Sequence, residues 1–162
     1  MVLDSELMGI TVLSLEQAVS APYCSMLLVE SGARVIKIEP SGGDFARGYD
    51  SGADGESAIF AWLNRGKESI CLDLNKSDDI ILIKRILKKT DIFLNNVAPG
   101  VLDRKGLSFD LIRKLNSKII TCSISGYGSE GSARERKAYD FLIQGEVGLC
   151  FVTGTEKNPS KV

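Results

Sequence analysis

Histidine is absent from all 162 residues. Ser-His-Asp triads, His-based acid–base pairs and His-ligated metals are therefore outside what this chain can build alone. Carboxylates, Lys, Tyr, Ser and Cys remain as its reactive groups. The four cysteines (Cys24, Cys71, Cys122 and Cys150) include no C-x-x-C pair, so neither a zinc site nor a disulfide framework is expected and no metal is assigned. An excess of charge is lacking too: 20 Lys+Arg against 21 Asp+Glu give a net charge of -1. Nothing at that level suggests a nucleic-acid or membrane surface, and a small-molecule ligand is the expectation. No apolar run approaches membrane-spanning length, and the opening residues MVLDSELMGI lack the basic-then-apolar order of a signal peptide. The chain reads as cytoplasmic and reduced. The turn after the first candidate strand, SLEQAVSAP, contains no glycine, which disfavours the dinucleotide fingerprint at that place, and no P-loop pattern occurs.

What the chain does have is alternation. Short apolar runs at Ile10–Leu15, Arg34–Glu39, Ser69–Leu74, Asp91–Asn96 and Lys118–Ser125 read as strands. Between them lie helical patterns. APYCSMLLVESG has Pro22 near its start and Gly32 at its end. SDDIILIKRILKK has Ser77 as a candidate cap, acids first and lysines last. SFDLIRKLN is capped by Ser108, and a helix starts at the YDFLIQ stretch. This predicts an α/β fold: a Rossmann-like, mostly parallel sheet with helices on both faces, in one domain over residues 1–150. Residues 151–162 are polar and turn-rich, the start of a linker to a second domain. In such sheets ligands collect at the carboxyl ends of the strands, which points to residues 17–21, 39–49, 73–76, 95–100 and 125–140.

The motifs in those loops carry structural as well as functional readings. GGDFARG, with Asp44 and Arg47, reads as a tight turn with a solvated ion pair. LNRGKES, with Arg65 and Lys67 around Gly66, is either a solvated turn or a cradle for phosphates. Arg104 and Lys137 add cations beside loop glycines and favour an anionic ligand. Asp140 is a catalytic group, a ligand anchor or the first residue of a helix, where a carboxylate suits the dipole.

Taken in order, GITVLSLEQAVSAP, SGARVIKIEPSGGDFARG, LNRGKESICLDL, TDIFLNNVAPGVLDRKGLSFDLIRKLNSKIITCSISGYGSEG and KAYDFLIQGEVGL resemble the N-terminal half of class III CoA-transferases, the CaiB/BaiF family. The resemblance spans about Gly9 to Leu149. It implies a Rossmann-like domain binding coenzyme A, a smaller second domain and an interlocked homodimer. CoA or an acyl-CoA would be the substrate, with no bound metal or prosthetic group. Family members run to more than twice this length, so the chain resembles an N-terminal fragment or truncated paralogue.

By motif position the family's CoA contacts fall on Val19, Ser20, Leu72, Asn75, Asn96, Val97, Val101, Arg104, Lys137 and Tyr139. Asn75 stands where many members have Lys, and Pro40 where many have Arg, so two phosphate-facing charges are missing. The family's chemistry is covalent: an aspartate attacks the acyl-CoA thioester to give a mixed anhydride, CoA thiolate forms an enzyme–CoA thioester, and the acceptor acid collects the activation. That aspartate lies in a Gly-Asp element downstream of the Tyr139-Asp140 pair. Cys150–Val162 contain no aspartate, which leaves Asp140 a supporting role. Tyr139, where the α-methylacyl-CoA racemase branch has His, indicates a transferase. GGDFARGYD with IFAWLNRGKESICLDL is similar to members acting on succinyl-CoA with mesaconate-, itaconate- or malate-like acceptors. The alternative is a non-catalytic CoA-binding fragment or interaction module.

Overall fold

A computed structural model of the chain describes residues 6–155, 157, 158 and 160. It divides into two compact units, Met1–Ile124 and Ser125–Val162. The first runs β1 (Thr11–Leu15), α1 (Ser20–Glu30), β2 (Arg34–Glu39), a 3-10 turn (Phe45–Gly48), α2 (Ala58–Asn64), β3 (Glu68–Cys71), α3 (Ser77–Leu87), β4 (Ile92–Asn95), α4 (Val101–Arg104), α5 (Phe109–Leu115) and β5 (Ile120–Ser123). All five strands are parallel, in the order β3-β2-β1-β4-β5. The α/β expectation is met. From β1 the chain builds outward to β2 and β3, then crosses back to β4 on the other side. The order therefore reverses between β1 and β4, and an open α/β sheet leaves its ligand crevice at the carboxyl ends of such a pair.

Alternate residues of a strand face opposite sides of a sheet, and the sequence uses this to build two cores. On β1, Leu13 and Leu15 join Ile38, Leu72, Ile83, Leu87, Phe93 and Ile112 under α3 and α5. Val12 joins Ala21, Val35 and Leu94 on the side covered by α1. Ser14, also fully buried on this side, has a hydroxyl with no hydrogen-bond partner among the described residues.

Local signals mostly fall where expected. Gly32, at φ +95°, takes the left-handed conformation just past the end of α1. Ser108 caps α5, accepting the Leu111 N–H at 3.3 Å. Ser77 does not cap α3. It is the first helical residue, and the Asp79 carboxylate instead closes that turn by accepting the Asp73 N–H at 2.8 Å. The two edge strands are shorter than their apolar runs, because pairing with one neighbour ends at Cys71 and Ser123.

Helix α2 lies in a stretch where the sequence patterns indicate none. Its start is fixed by side chains: Ser57 accepts the Phe60 N–H at 3.1 Å. Asp50 receives the N–H groups of Gly52 and Ala58, each at 2.8 Å, and the Ser57 hydroxyl at 2.9 Å.

In the second unit α6 (Asp140–Glu146) and α7 (Leu149–Val152) follow a long loop, separated at Gly148 with φ +77°. A Cβ on Gly126 would lie 2.3 Å from that of Ala138, so only glycine fits there. Of the expected linker, positions 156, 159, 161 and 162 lie outside the described residues.

The central strands should dominate stability. Phe93, fully buried on β4, should cost about 3–5 kcal/mol on truncation to Ala. Ile120 on the edge, 62% exposed, should cost under about 1 kcal/mol. Urea unfolding of the two variants checks the difference.

Candidate functional site

At the reversal point the turn leaving β1 is held residue by residue. Glu16, buried, accepts from Lys67 Nζ at 2.8 Å on one oxygen and from the Ser25 hydroxyl at 2.7 Å on the other. Both backbone groups of Gln17 meet the side chain of Asn96, just past β4: its N–H donates to Oδ1 at 3.0 Å and its carbonyl accepts from Nδ2 at 2.8 Å. Ala18 has φ +63°, a left-handed conformation costing a non-glycine residue on the order of 1 kcal/mol. Its N–H donates to Asp44 Oδ1 at 3.2 Å.

Asp44 belongs to a larger polar network. Its second oxygen accepts from Lys37 Nζ at 2.7 Å, both side chains being 1% exposed. Lys37 also donates to Asn64 Oδ1 at 2.9 Å and lies 5.0 Å from the centre of the Phe60 ring. The same Asn64 oxygen accepts from Lys67 Nζ at 3.1 Å, so one amide at the end of α2 joins two buried ammonium groups. Beside them Glu39 takes a bidentate contact from Arg47, at 2.9 Å for both bonds, with the Asp44 N–H at 3.0 Å and the Ser69 hydroxyl at 2.8 Å. Three cations face three carboxylates, which makes the desolvation of each tolerable.

Titration follows from this geometry. Burial alone would raise the Glu39 pKa, but the Arg47 guanidinium, the Asp44 N–H and the Ser69 hydroxyl overcome it and bring the carboxyl from 4.5 to about 2. Asp50 also falls to about 2, held by the N–H groups of Gly52 and Ala58. Burial pushes Lys67 down, against the upward pull of Glu16, and burial is the main reason the Cys24 thiol is raised.

Two sequence readings are corrected by these contacts. Asp44 and Arg47 are no solvated pair: Asp44 sits in the core with Lys37, and Arg47 is spent on Glu39. LNRGKES is no phosphate cradle, because Lys67 is buried on Glu16 and Arg65 pairs with Glu30. A phosphate would have to displace a carboxylate to reach either.

The residues assigned to CoA fall into separate groups. Val19 and Ser20 form the start of α1, and Ser20 Oγ accepts from Asn96 Nδ2 at 3.2 Å, so Ser20 and Asn96 meet at the reversal point. Leu72 is buried, its N–H on the Glu39 carbonyl at 2.9 Å, and Val97 packs on the larger core. Asn75 and Arg104 line one groove of about 470 Å³, with Ile80 and Ile81 as its apolar part. Val101 opens α4, the helix that ends at Arg104.

Three further cations line that groove and had not been singled out: Lys76, Lys84 and Lys105. Lys105 donates to Asn75 Oδ1 at 2.6 Å. Lys84 had a readable signal, since it lies seven residues after Ser77 and so on the same helical face. In the second unit Lys137 and Tyr139 are exposed, Tyr139 at 66%. Asp140 is the first residue of α6, with its Oδ2 on Gln144 Nε2 at 2.6 Å. That is the helix-start reading in geometric form. Among the described residues no group of three His, Cys, Asp or Glu could hold a metal, and no helix is long and apolar enough to cross a membrane.

CoA-transferase family III matches residues 7–162. The chain is 36% identical over 152 residues to an acetyl-CoA:oxalate CoA-transferase of Acetobacter aceti, covering 93% of this chain and 39% of that protein. It is 36% identical over 156 residues to a succinate–glutarate CoA-transferase of Agrobacterium fabrum, covering 91% of this chain and 39% of the other. A CAIB/BAIF family protein from Brucella suis superposes with a TM-score of 0.91 at 33% identity, over 98% of this chain and 44% of that one. The chain thus spans well under half the length of each.

A depressed carboxylate stabilises the fold fully above its unfolded pKa and surrenders that stability as pH falls toward the folded value. Glu39 and Asp50, at about 2 in the fold, place the loss between about pH 4.5 and pH 2. Denaturant titrations should show constant stability from neutrality to about pH 5 and a fall below it. Glu39→Gln should flatten that fall by up to one proton's worth of slope.

Proposed function

The chain belongs to CoA-transferase family III, and from that premise we propose that it binds coenzyme A for transfer between an acyl-CoA and a small carboxylic acid. Succinyl-CoA is the proposed donor and a dicarboxylate the proposed acceptor. The observation that carries the reading is the groove beside Asn75, where Lys76, Lys84, Arg104 and Lys105 converge over apolar residues of α3. A phosphorylated nucleotide attached to a long, mostly apolar arm suits such a surface: clustered cations take the phosphates, and guanidinium contacts can be bidentate.

Many family members carry Lys where this chain has Asn75. The Lys105 ammonium, 2.6 Å from Asn75 Oδ1, brings a cation to the same place from a different residue. Val19, Ser20 and Asn96 at the reversal point are proposed to hold the rest of the CoA, with Leu72, Val97 and Val101 as apolar support. Lys137 and Tyr139 are proposed as further contacts and Asp140 as a supporting group at the reacting acid. Relatives named for oxalate and for succinate and glutarate support a dicarboxylate acceptor.

The family's reacting aspartate sits in a Gly-Asp element after the Tyr-Asp pair, and no Gly-Asp follows Asp140 in these 162 residues. Binding is therefore tested on this chain, and transfer on coding sequence that includes such an element. A homodimer is also proposed. The exposed aromatic pairs Tyr23 with Trp62 and Phe45 with Tyr49 support association, since exposed apolar clusters usually mark contact surfaces.

Calorimetric titration with CoA should show binding that weakens about tenfold for Arg104→Ala and for Lys105→Ala, the loss of one charge-assisted contact each. Lys118→Ala, outside the groove, should leave affinity unchanged, as should either groove variant for pantetheine, which has no phosphate. Equal effects on CoA and pantetheine would remove the phosphate assignment. Mass spectrometry of CoA esters after incubation with succinyl-CoA and itaconate or mesaconate tests transfer; no exchange sinks the donor–acceptor proposal. Sedimentation at micromolar concentration should show association, and a clean monomer would count against the dimer.

A further inference from the structure

The buried carboxylate of Asp44 has two oxygens with different tasks. One accepts from Lys37 at 2.7 Å within the core. The other accepts from the Ala18 N–H at 3.2 Å and the Ala46 N–H at 3.0 Å. Ala18 is one of two non-glycine residues with positive φ among those described, the other being Asp54 in an outer loop. It lies in the turn between β1 and α1, at the sheet's reversal point. An L-residue stays in this conformation only where its surroundings hold it there. Here the holding group is anchored by a lysine as deeply buried as itself.

We propose that Asp44, set by Lys37, is a positioning residue: it keeps Ala18 left-handed and so fixes the turn that presents Val19 and Ser20 to acyl-CoA. The consequence for binding rests on the CoA reading above; the hold on the turn does not. Asn96 grips the peptide on the other side, through the N–H and carbonyl of Gln17, and Lys67 anchors Glu16 just before it. With the two residues before it, Glu16 and Gln17, fixed from outside, the Asp44 contact decides whether Ala18 keeps its positive φ. A side chain of the loop after β2 thereby sets the geometry of the loop after β1, and neither loop specifies that shape alone.

The test uses Asp44→Ala, Ala18→Gly and the double variant of the full chain. Glycine takes positive φ without strain, so Ala18→Gly should restore what the loss of Asp44 removes from the turn, but not what it removes from the core. In ligand-free protein, NMR should show a strong intraresidue N–H to Hα NOE and slow amide exchange at Ala18, both lost in Asp44→Ala. CoA affinity should fall at least tenfold in Asp44→Ala and return to within about threefold of wild type in the double variant, while its melting temperature stays low. That split separates positioning from a general structural role.

Unchanged NMR signals in a folded Asp44→Ala protein would overturn the proposal, and so would a double variant that regains no affinity. If Asp44→Ala does not fold, Ala18→Val poses the same question, because a β-branched residue resists positive φ. It should lose the NOE and at least tenfold in affinity; retention of both would overturn the proposal. If wild type binds no CoA, the functional reading falls by itself, and the ligand-free NMR comparison still decides the role of Asp44 in the turn.

Discussion

The buried ion pair between Lys37 and Asp44 is the contact on which the carboxyl edge of the sheet depends. Both side chains are almost fully out of water, and breaking such a pair from one side costs far more than its net contribution. Lys37 sits on β2 next to the central strand, and Asp44 starts the 3-10 turn beyond β2. Holding them together pulls the long loop back over the sheet. Asn64 then ties α2 into the same network, and Lys67 carries the tie on to Glu16 and the carbonyl of Pro22. Loop, helix and central strand are located by one connected set of charges.

This arrangement divides the molecule's polar groups by task. Lys37, Lys67 and Arg47 are used internally and face carboxylates. The groove beside Asn75 is faced by a different set, from α3 and the α4 region: Lys76, Lys84, Arg104 and Lys105. An anion arriving at the carboxyl edge of the sheet meets cations paired with carboxylates near β2 and a cluster of four cations beyond β3. In the proposed function, that contrast is what assigns the phosphate end of CoA to one side of the edge and its less charged parts to the β1–β4 crevice.

Legibility in the sequence followed the range of the interaction. The strand runs, the cap at Ser108 and the glycine past α1 depend on neighbours a few residues apart, and pattern alone located them. The motif order that marks the family was equally readable. The network was not. Lys37 occupies the charged position of an alternating strand, RVIKIE, a pattern that usually denotes a wet face; α1 and α2 cover that face and dry it. Lys67 looked available for phosphate because its partner Glu16 is 51 positions away. Helix α2 escaped notice because Asp50, eight residues before Ala58, supplies its first N–H acceptor. Asn75 and Arg104 were named separately, and only folding brought them to one groove with Lys84 and Lys105.

The two sides of the sheet differ in the buried charge they hold, and this bears on how the protein can change over generations. The side under α3 and α5 is hydrocarbon, where a swap of similar volume disturbs only its neighbours. The side under α1 and α2 holds six charges that balance as a set. A lineage can drift one residue at a time on the first side. On the second, Lys37, Asp44 and Asn64 are bound to one another's identity, so a change in one opens a valley that only a coordinated change in its partners can cross.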